Sequence, residues 1–416
     1  MRGSKIYWLI FIVALILRLS WIFISGSYVH PEVWEQEEIA TNLLNGSGFM
    51  CMHLGTVYHS LTQPLYPLFC AVVYFVTGHS YVILELLQAF ISAFICIVIF
   101  NIASIIFGKY TAIISALLLA FHPGIIIYTA KLHPLIFDIL FVSLVVLAFL
   151  KIRLNFSLRN RIYAGLVSGL CVLSRSTVSL FLPFAIAWLI YYGDYPKRKV
   201  ITGGFLILFM AFLVVLPWQI RNYIIHKQFV FIQSTTEETL WLTNNPNASG
   251  SNYLSDGRIA LDAASPEFLE KLYSLDEMGQ RKFFHEQAHD FIKANPLRYV
   301  LSFMKRFYYS WWFSPQSGIE YPGFYLLIYK FFYGSIVIFA ILGIFSGISC
   351  GTAMAKQGSY LLLSCLLSMS FAQSLFYVEG RHRWGVEPLL LIFTANGLFH
   401  FKDYLKYGLS RYSKKV

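Results

Sequence analysis

Charge is what this sequence has least of. Lysine, arginine, aspartate and glutamate make up 13% of its 416 residues, about half the share of a soluble domain. Acids are the scarcer sign, 21 against 32 lysines and arginines. So little charge in a chain that is 57% hydrophobic excludes a soluble protein with one anchor and leaves a polytopic membrane protein. Cysteine is scarce as well. Cys70, Cys96, Cys171, Cys350 and Cys365 fall inside apolar segments and Cys51 stands alone outside them, which excludes a disulfide framework. The net charge of +11 comes from short loops and the C-terminal tail. There is no basic soluble face, so nucleic acid is excluded as a partner, and the pattern fits topology and contact with membrane lipids. Internal repeats and low-complexity tracts are absent too.

What is present is a series of apolar segments, at 6–26, 64–78, 80–106, 111–128, 134–151, 163–176, 177–192, 200–220, 323–348, 358–377 and 386–401. Residues 6–25 hold one charge, Arg18, and are long enough to cross ~30 Å of hydrocarbon. No small-residue cleavage site follows, so a retained helix is expected. Basic clusters stand at Arg2/Lys5, Lys151/Arg153/Arg159/Arg161, Lys197/Arg198/Lys199 and Lys402 to Lys415, and the positive-inside rule puts all of them in the cytoplasm. That works if 64–78, short and carrying Pro64 and Pro67, is a re-entrant or interfacial segment. The expectation is then an all-α protein of about ten crossings with both termini cytoplasmic, of the kind found in a bacterial inner or plasma membrane. Residues 163–192 are short for two crossings. Two short helices reversing near Ser174-Arg175-Ser176 satisfy the charge rule, whereas one tilted helix violates it.

This divides the chain into a transmembrane module, 1–220, with its first extracytoplasmic loop at 27–79. An extracytoplasmic region with amphipathic helices follows at 221–322, then C-terminal transmembrane helices at 323–401 and a basic cytoplasmic tail at 402–416.

Against the general scarcity of acids, Glu32, Glu35, Glu37 and Glu38 crowd one stretch just after the first apolar segment. From Trp34 to Asn45 the spacing predicts a helix lying on the membrane. Ile39/Leu43 and Ala40/Leu44 form an apolar stripe, Glu35, Glu38 and Asn42 share a second face, and Asn45-Gly46 ends it. Such a face is either solvated or carries a general base that deprotonates an acceptor hydroxyl or amine attacking a sugar carbon.

Four ordered blocks resemble a known class. Trp34-Glu35 with Ile39-Ala40, Leu43-Leu44, Gly46 and Gly48-Phe49 is similar to the first-loop motif of GT-C membrane glycosyltransferases, among them the protein O-mannosyltransferases and the aminoarabinose transferase of lipid A. Gln63-Pro64-Leu65-Tyr66-Pro67 resembles their proline-rich interfacial segment. The run Pro217-Trp218 to Arg221-Asn222, leading on to Asn245, is similar to one that leaves the membrane in this group. The block 379–391 resembles an Arg-x-Arg-x-x-x-Glu-Pro sequence that opens a late helix. The resemblance implies a GT-C-like fold and transfer of a sugar from a polyprenyl-phosphate donor to a glycan, lipid or protein on the extracytoplasmic face, as in cell-envelope assembly. It implies Glu35 as first-choice base, with Glu32 and Glu38 second. The class most often uses Asp, and this loop has none. No Asp-x-Asp pair is present, so no metal and no cofactor are expected.

A phosphate leaving group needs cationic donors. The candidates are Arg221, Arg383 and Arg381 at helix ends, Arg175 at the short turn, and Lys131, with His133, in a short outer turn. Arg221 and Arg383 read equally as anchors that snorkel to headgroups. Arg18 is expected to be a structural ion-pair partner. One rival reading starts from His285-Glu286-Gln287-Ala288-His289, a His-Glu-x-x-His pattern that binds zinc in membrane metalloproteases. Its third ligand is not evident, since Asn295 takes the metzincin position and Glu320 is distant. Phe284, Ala288, Phe291 and Ile292 form an apolar face without any metal. A transporter is the other rival, but the polar residues gather at one face instead of lining a path. Tyr308, Trp311, Trp312 and Phe313 are expected to anchor re-entry to the bilayer.

Overall fold

In the computed structural model the described residues are 2–251, 253–317 and 323–412. They form a helical membrane protein. Arg2–Ser25 (α1) is followed by Glu35–Leu44 (α2), the hairpin Cys51–His53 (β1) and Thr56–Tyr58 (β2), Leu65–Thr77 (α3), Tyr81–Phe107 (α4), Lys109–Ala120 (α5), Pro123–Thr129 (α6), Leu135–Leu154 (α7) and Leu158–Ser174 (α8). A 3-10 turn, Ser176–Leu180, leads into Phe181–Tyr192 (α9), and Lys197–His226 (α10) closes the N-terminal half. Beyond it come Thr236–Leu242 (α11), Pro266–Tyr273 (α12), Glu277–Ala294 (α13), Pro296–Trp311 (α14), Gly323–Ser349 (α15), Ala353–Ser374 (α16), Gly380–Trp384 (α17) and Glu387–Tyr412 (α18).

Among the described residues, Lys5–Ser25, α4, α7, α10 and α15 are long and apolar enough to span a membrane. Residues 111–128, expected as one crossing, are broken. α5 and α6 are bent by 53°, because Pro123 cannot continue the α5 hydrogen-bond ladder and His122 caps the new helix instead, its ring accepting the Ile125 N–H at 3.2 Å. α3 is a 13-residue helix, too short to span.

Neighbours along α10 define the stretch 158–192. Cβ atoms built on Gly165 and Gly169 of α8 would meet the carbonyls of Ile207 and Ala211, so α8 and α10 run in parallel. Gly204 of α10 faces Ile186, and Gly193, just past the end of α9, faces Val200, so α9 runs opposite to both. α8 and α9 are therefore an antiparallel pair reversing at Arg175. The turn lies on the side of the bilayer where α10 ends, the side that holds the first loop.

Arg18 is fully buried and has no acid partner among the described residues, unlike the ion pair expected from sequence. Its guanidinium donates to Ser92 Oγ at 2.7 Å and to the carbonyls of Ala14, Ala120 and Leu119. The last two end α5, where the helix dipole is negative, so the broken span itself supplies the counter-charge.

The β-hairpin was not visible in the sequence reading. Leu54 and Gly55 both take positive φ, 45° and 77°, the type I′ geometry that matches strand twist. Apart from the main core, Trp241, Leu254, Leu272, Phe283, Phe284 and Ala288 form a small separate core on which the hairpin docks.

Candidate active site

α2 matches its expected limits, and Ile39 and Ala40 are fully buried, which turns the glutamates outward. Three of the four acids are engaged. Glu37 accepts from the Tyr74 and Tyr81 hydroxyls at 2.5 and 3.1 Å and pairs with His79 at 2.7 Å. Glu38 accepts the Met52 N–H at 2.8 Å and so fastens α2 to the hairpin. Glu32 pairs with Lys131 at 2.5 Å, while its carbonyl takes the Leu132 N–H. Glu35 is half-buried, and its one partner among the described residues is the neighbouring Gln36 amide at 3.0 Å.

Trp34, next to Glu35, packs against a cationic, aromatic cluster built by the turn before α7 and by α17. Lys131 Nζ lies 5.6 Å from the Trp34 ring and 5.1 Å from Tyr128. The His133 ring meets the same two rings edge-on at 5.2 and 5.1 Å. Arg381 pairs with Glu379 at 2.7 Å. Arg175 reaches Asp138 at 3.4 Å and donates to the His382 carbonyl at 3.0 Å.

The electrostatics show that these groups share one place. Burial first, then Arg381, Lys131 and Arg175, holds His133 well below the usual imidazole range. His382 is depressed in the same way, by burial and then by Arg381, Arg175 and His133. Both rings are therefore neutral at neutral pH, and the positive charge belongs to Lys131, Arg175 and Arg381. Burial opposes the charge of Arg381, but Glu379, Tyr377 and Tyr128 outweigh it and raise its pKa. Tyr377 is pushed up by burial and Glu379, against Arg381, and the Glu35 charge adds to the rise. Glu35 and Arg381 thus act on one phenol, which ties the acid of the first loop to the cations of α17.

Arg221 and Arg383, expected to hold the donor phosphate, have donors engaged within the protein. Arg221 donates to the carbonyls of His59 and Phe49 at 2.5 and 2.8 Å and lies over the Trp218 ring at 4.7 Å. It clasps the two ends of the hairpin segment to α10. Arg383 is buried, 3.7 Å from the centre of the Tyr333 ring, with Phe313 and Tyr329 also against it. Its acid is Glu387, which in turn bonds His122 at 2.9 Å. His122 Nδ1 accepts from the Ile125 N–H, which leaves Nε2 to face the carboxylate. Neither arginine snorkels; each spends its donors inside the protein.

Sequence reasoning missed Glu277. Its carboxylate accepts the His59 and Ser60 N–H groups at 2.7 and 3.0 Å and the Ser234 hydroxyl at 2.6 Å. The available signal was its place in the first turn of α13, directly after Asp276, which caps that helix. His285 and His289 stack at 5.5 Å on the exposed face of α13, while Phe284 and Ala288 face the small core. Among the described residues no group of three His, Cys, Asp or Glu converges to hold a metal ion, and Glu320 lies outside them.

Residues 59–220 match the family model of dolichyl-phosphate-mannose-protein mannosyltransferases. The fold is similar to the Archaeoglobus fulgidus oligosaccharyltransferase in its apo form, with a TM-score of 0.57 and 13% identity over 98% of this chain and 52% of that one. The same archaeal enzyme, AglB, solved with an inhibitory peptide and a dolichol-phosphate, gives 0.56 and 13% over 97% and 51%. ArnT from Cupriavidus metallidurans bound to undecaprenyl phosphate is a looser likeness, at 0.45 and 12% over 93% and 77%. No protein of curated function matches the sequence. The family match covers residues 59–220, the likeness to solved structures is one of fold, and the chain spans about half the length of the archaeal enzyme it matches.

Proposed function

We propose that this protein transfers a sugar from a polyprenyl-phosphate donor to an acceptor on the extracytoplasmic face, with Glu35 as general base. The observation that supports the assignment is that the only partner of Glu35 among the described residues is the neighbouring Gln36 amide, whereas Glu32 and Glu37 are held in ion pairs and Glu38 fastens the hairpin. In the reaction an acceptor O–H or N–H gives its proton to Glu35 while its heavy atom bonds to the anomeric carbon. The bond from that carbon to the phosphate oxygen breaks, and its electron pair leaves with the polyprenyl phosphate. Negative charge grows on that phosphate, and cations already in position stabilise it without reorganising.

Arg381 and Lys131 serve as those cations, with Arg175 behind them. Each is paired with an acid, but a guanidinium carries five N–H donors, so the Glu379 pair leaves Arg381 able to bind. The Lys131–Glu32 pair is the more open one, with Glu32 more than half exposed, and it is the pair a phosphate would displace. Arg221 and Arg383 act on the site by holding the loop and the start of α18. The sugar transferred, hexose or pentose, and the acceptor are left open by this scheme.

The test is single-turnover transfer with purified variants, together with mass spectrometry of the lipid-linked sugar that co-purifies. Glu35→Gln is expected to keep the bound donor and lose transfer by roughly 10²–10⁴-fold, whereas Glu38→Gln keeps most of it. Full transfer by a folded Glu35→Gln protein sinks the assignment.

A further inference from the structure

α14 is amphipathic in an inverted sense. Its inward face holds Arg306, fully buried, which donates to the carbonyls of Ser374 at 2.7 Å and Thr243 at 3.2 Å. Its outward face carries Leu297, Val300, Leu301, Met304 and Tyr308, all more than half exposed. Their spacing of three and four residues makes one continuous stripe. An aqueous surface does not favour such a stripe on a helix whose polar anchor points inward. A bilayer interface does.

Beside the stripe lies a groove of about 550 Å³, walled by Leu301, Met304 and Tyr308 on one side and by the loop at Ala248–Ser249 on the other. Gly250, at φ +94°, lets that loop pass close over α14, so that a Cβ there would be 3.7 Å from Lys305. Arg298 and Lys305 line the groove and no carboxylate does. Arg298 has given one nitrogen to the Pro246 carbonyl. Lys305 has no acid partner among the described residues.

We propose that this groove binds the headgroup of an anionic phospholipid of the outer leaflet. The phosphate lies between Arg298 and Lys305, and the acyl chains run along Leu301 and Met304 into the bilayer. Two cations without acids beside an exposed apolar stripe fit a lipid phosphate and do not fit a zwitterion or a neutral glycan. The site is separate from the cluster beside Glu35 and does not depend on the proposed reaction.

The experiment titrates the full-length protein in mild detergent with phosphatidylglycerol and, separately, phosphatidylcholine, and counts adducts by native mass spectrometry. Phosphatidylglycerol is expected to be retained preferentially. The Arg298→Glu/Lys305→Glu double variant should weaken it ~10-fold or more, while Arg298→Lys/Lys305→Arg preserves it. Should charge reversal disturb folding, as a thermal melt would show, Met304→Glu replaces it, with the same loss expected. Equal retention of the two lipids overturns the proposal. So does unchanged phosphatidylglycerol binding in the folded variants, or displacement of the lipid by inorganic phosphate at equal concentration.

Discussion

At the scale of single residues, the lesson is how donors are spent. Arg18, Arg221, Arg306 and Arg383 all look available in the sequence, and all are consumed by carbonyls, rings or a buried carboxylate. Arg175 stands between these and the cationic cluster. It reaches the His382 carbonyl only because residue 385 is glycine: a Cβ there would sit 2.1 Å from Arg175 Nη1. Residue 385 has φ −60°, which alanine tolerates, so Gly385→Ala acts on Arg175 and not on the backbone. Overpacking of this kind costs about 1–3 kcal/mol. Thermal unfolding in detergent should show that loss, and transfer should fall because the turn at 175 moves away from α17. If the clash is the cause, Gly385→Ala costs nothing further in an Arg175→Ala background. Additive losses would mean that the glycine serves another contact.

At the scale of elements, the first loop is held from three sides, by Arg221 of α10, by Glu38 of its own helix and by Glu277 of α13. Glu277 is the strongest of these, since one carboxylate accepts two backbone N–H groups and a hydroxyl. In Glu277→Gln one acceptor oxygen becomes a donor, and a buried N–H is left without a partner at a cost of about 1–3 kcal/mol. Hydrogen exchange at His59 and Ser60 should quicken by roughly 5–100-fold if opening is local, with the spans unaffected. Exchange unchanged at those two amides would show that Arg221 alone secures the segment. The extent of α2 was legible, because its apolar stripe and Asn45-Gly46 are local signals. The proline-rich stretch was legible as a short element for the same reason. Glu277 was not, because its two backbone partners are more than two hundred residues away, and a first-turn acid on such a helix has an ordinary local explanation in the dipole. Arg381 was legible as a candidate cation, but its neighbours were not, because Tyr128 lies far away in the sequence.

At the scale of the whole molecule, the spans carry the fold while a separate small core built from α11, α12 and α13 packs against the hairpin. The contact between the two includes His53 of the hairpin, bonded to Glu238 of α11 at 3.0 Å. Burial works against the imidazolium, but Glu238 outweighs it, and the His53 pKa is raised above its usual value of 6.5. A group with a raised folded pKa contributes stability that is fully present below its unfolded pKa and is lost as pH rises through its folded one. The contribution of this pair is thus complete below pH 6.5 and fades at higher pH. His53→Gln keeps a hydrogen bond but has no proton to gain. The difference in unfolding midpoint between wild type and His53→Gln should therefore be largest at about pH 6 and shrink steadily towards pH 9. A difference that grew with pH would mean that the ring is held neutral, and that the hairpin meets the small core of α11 to α13 through packing alone.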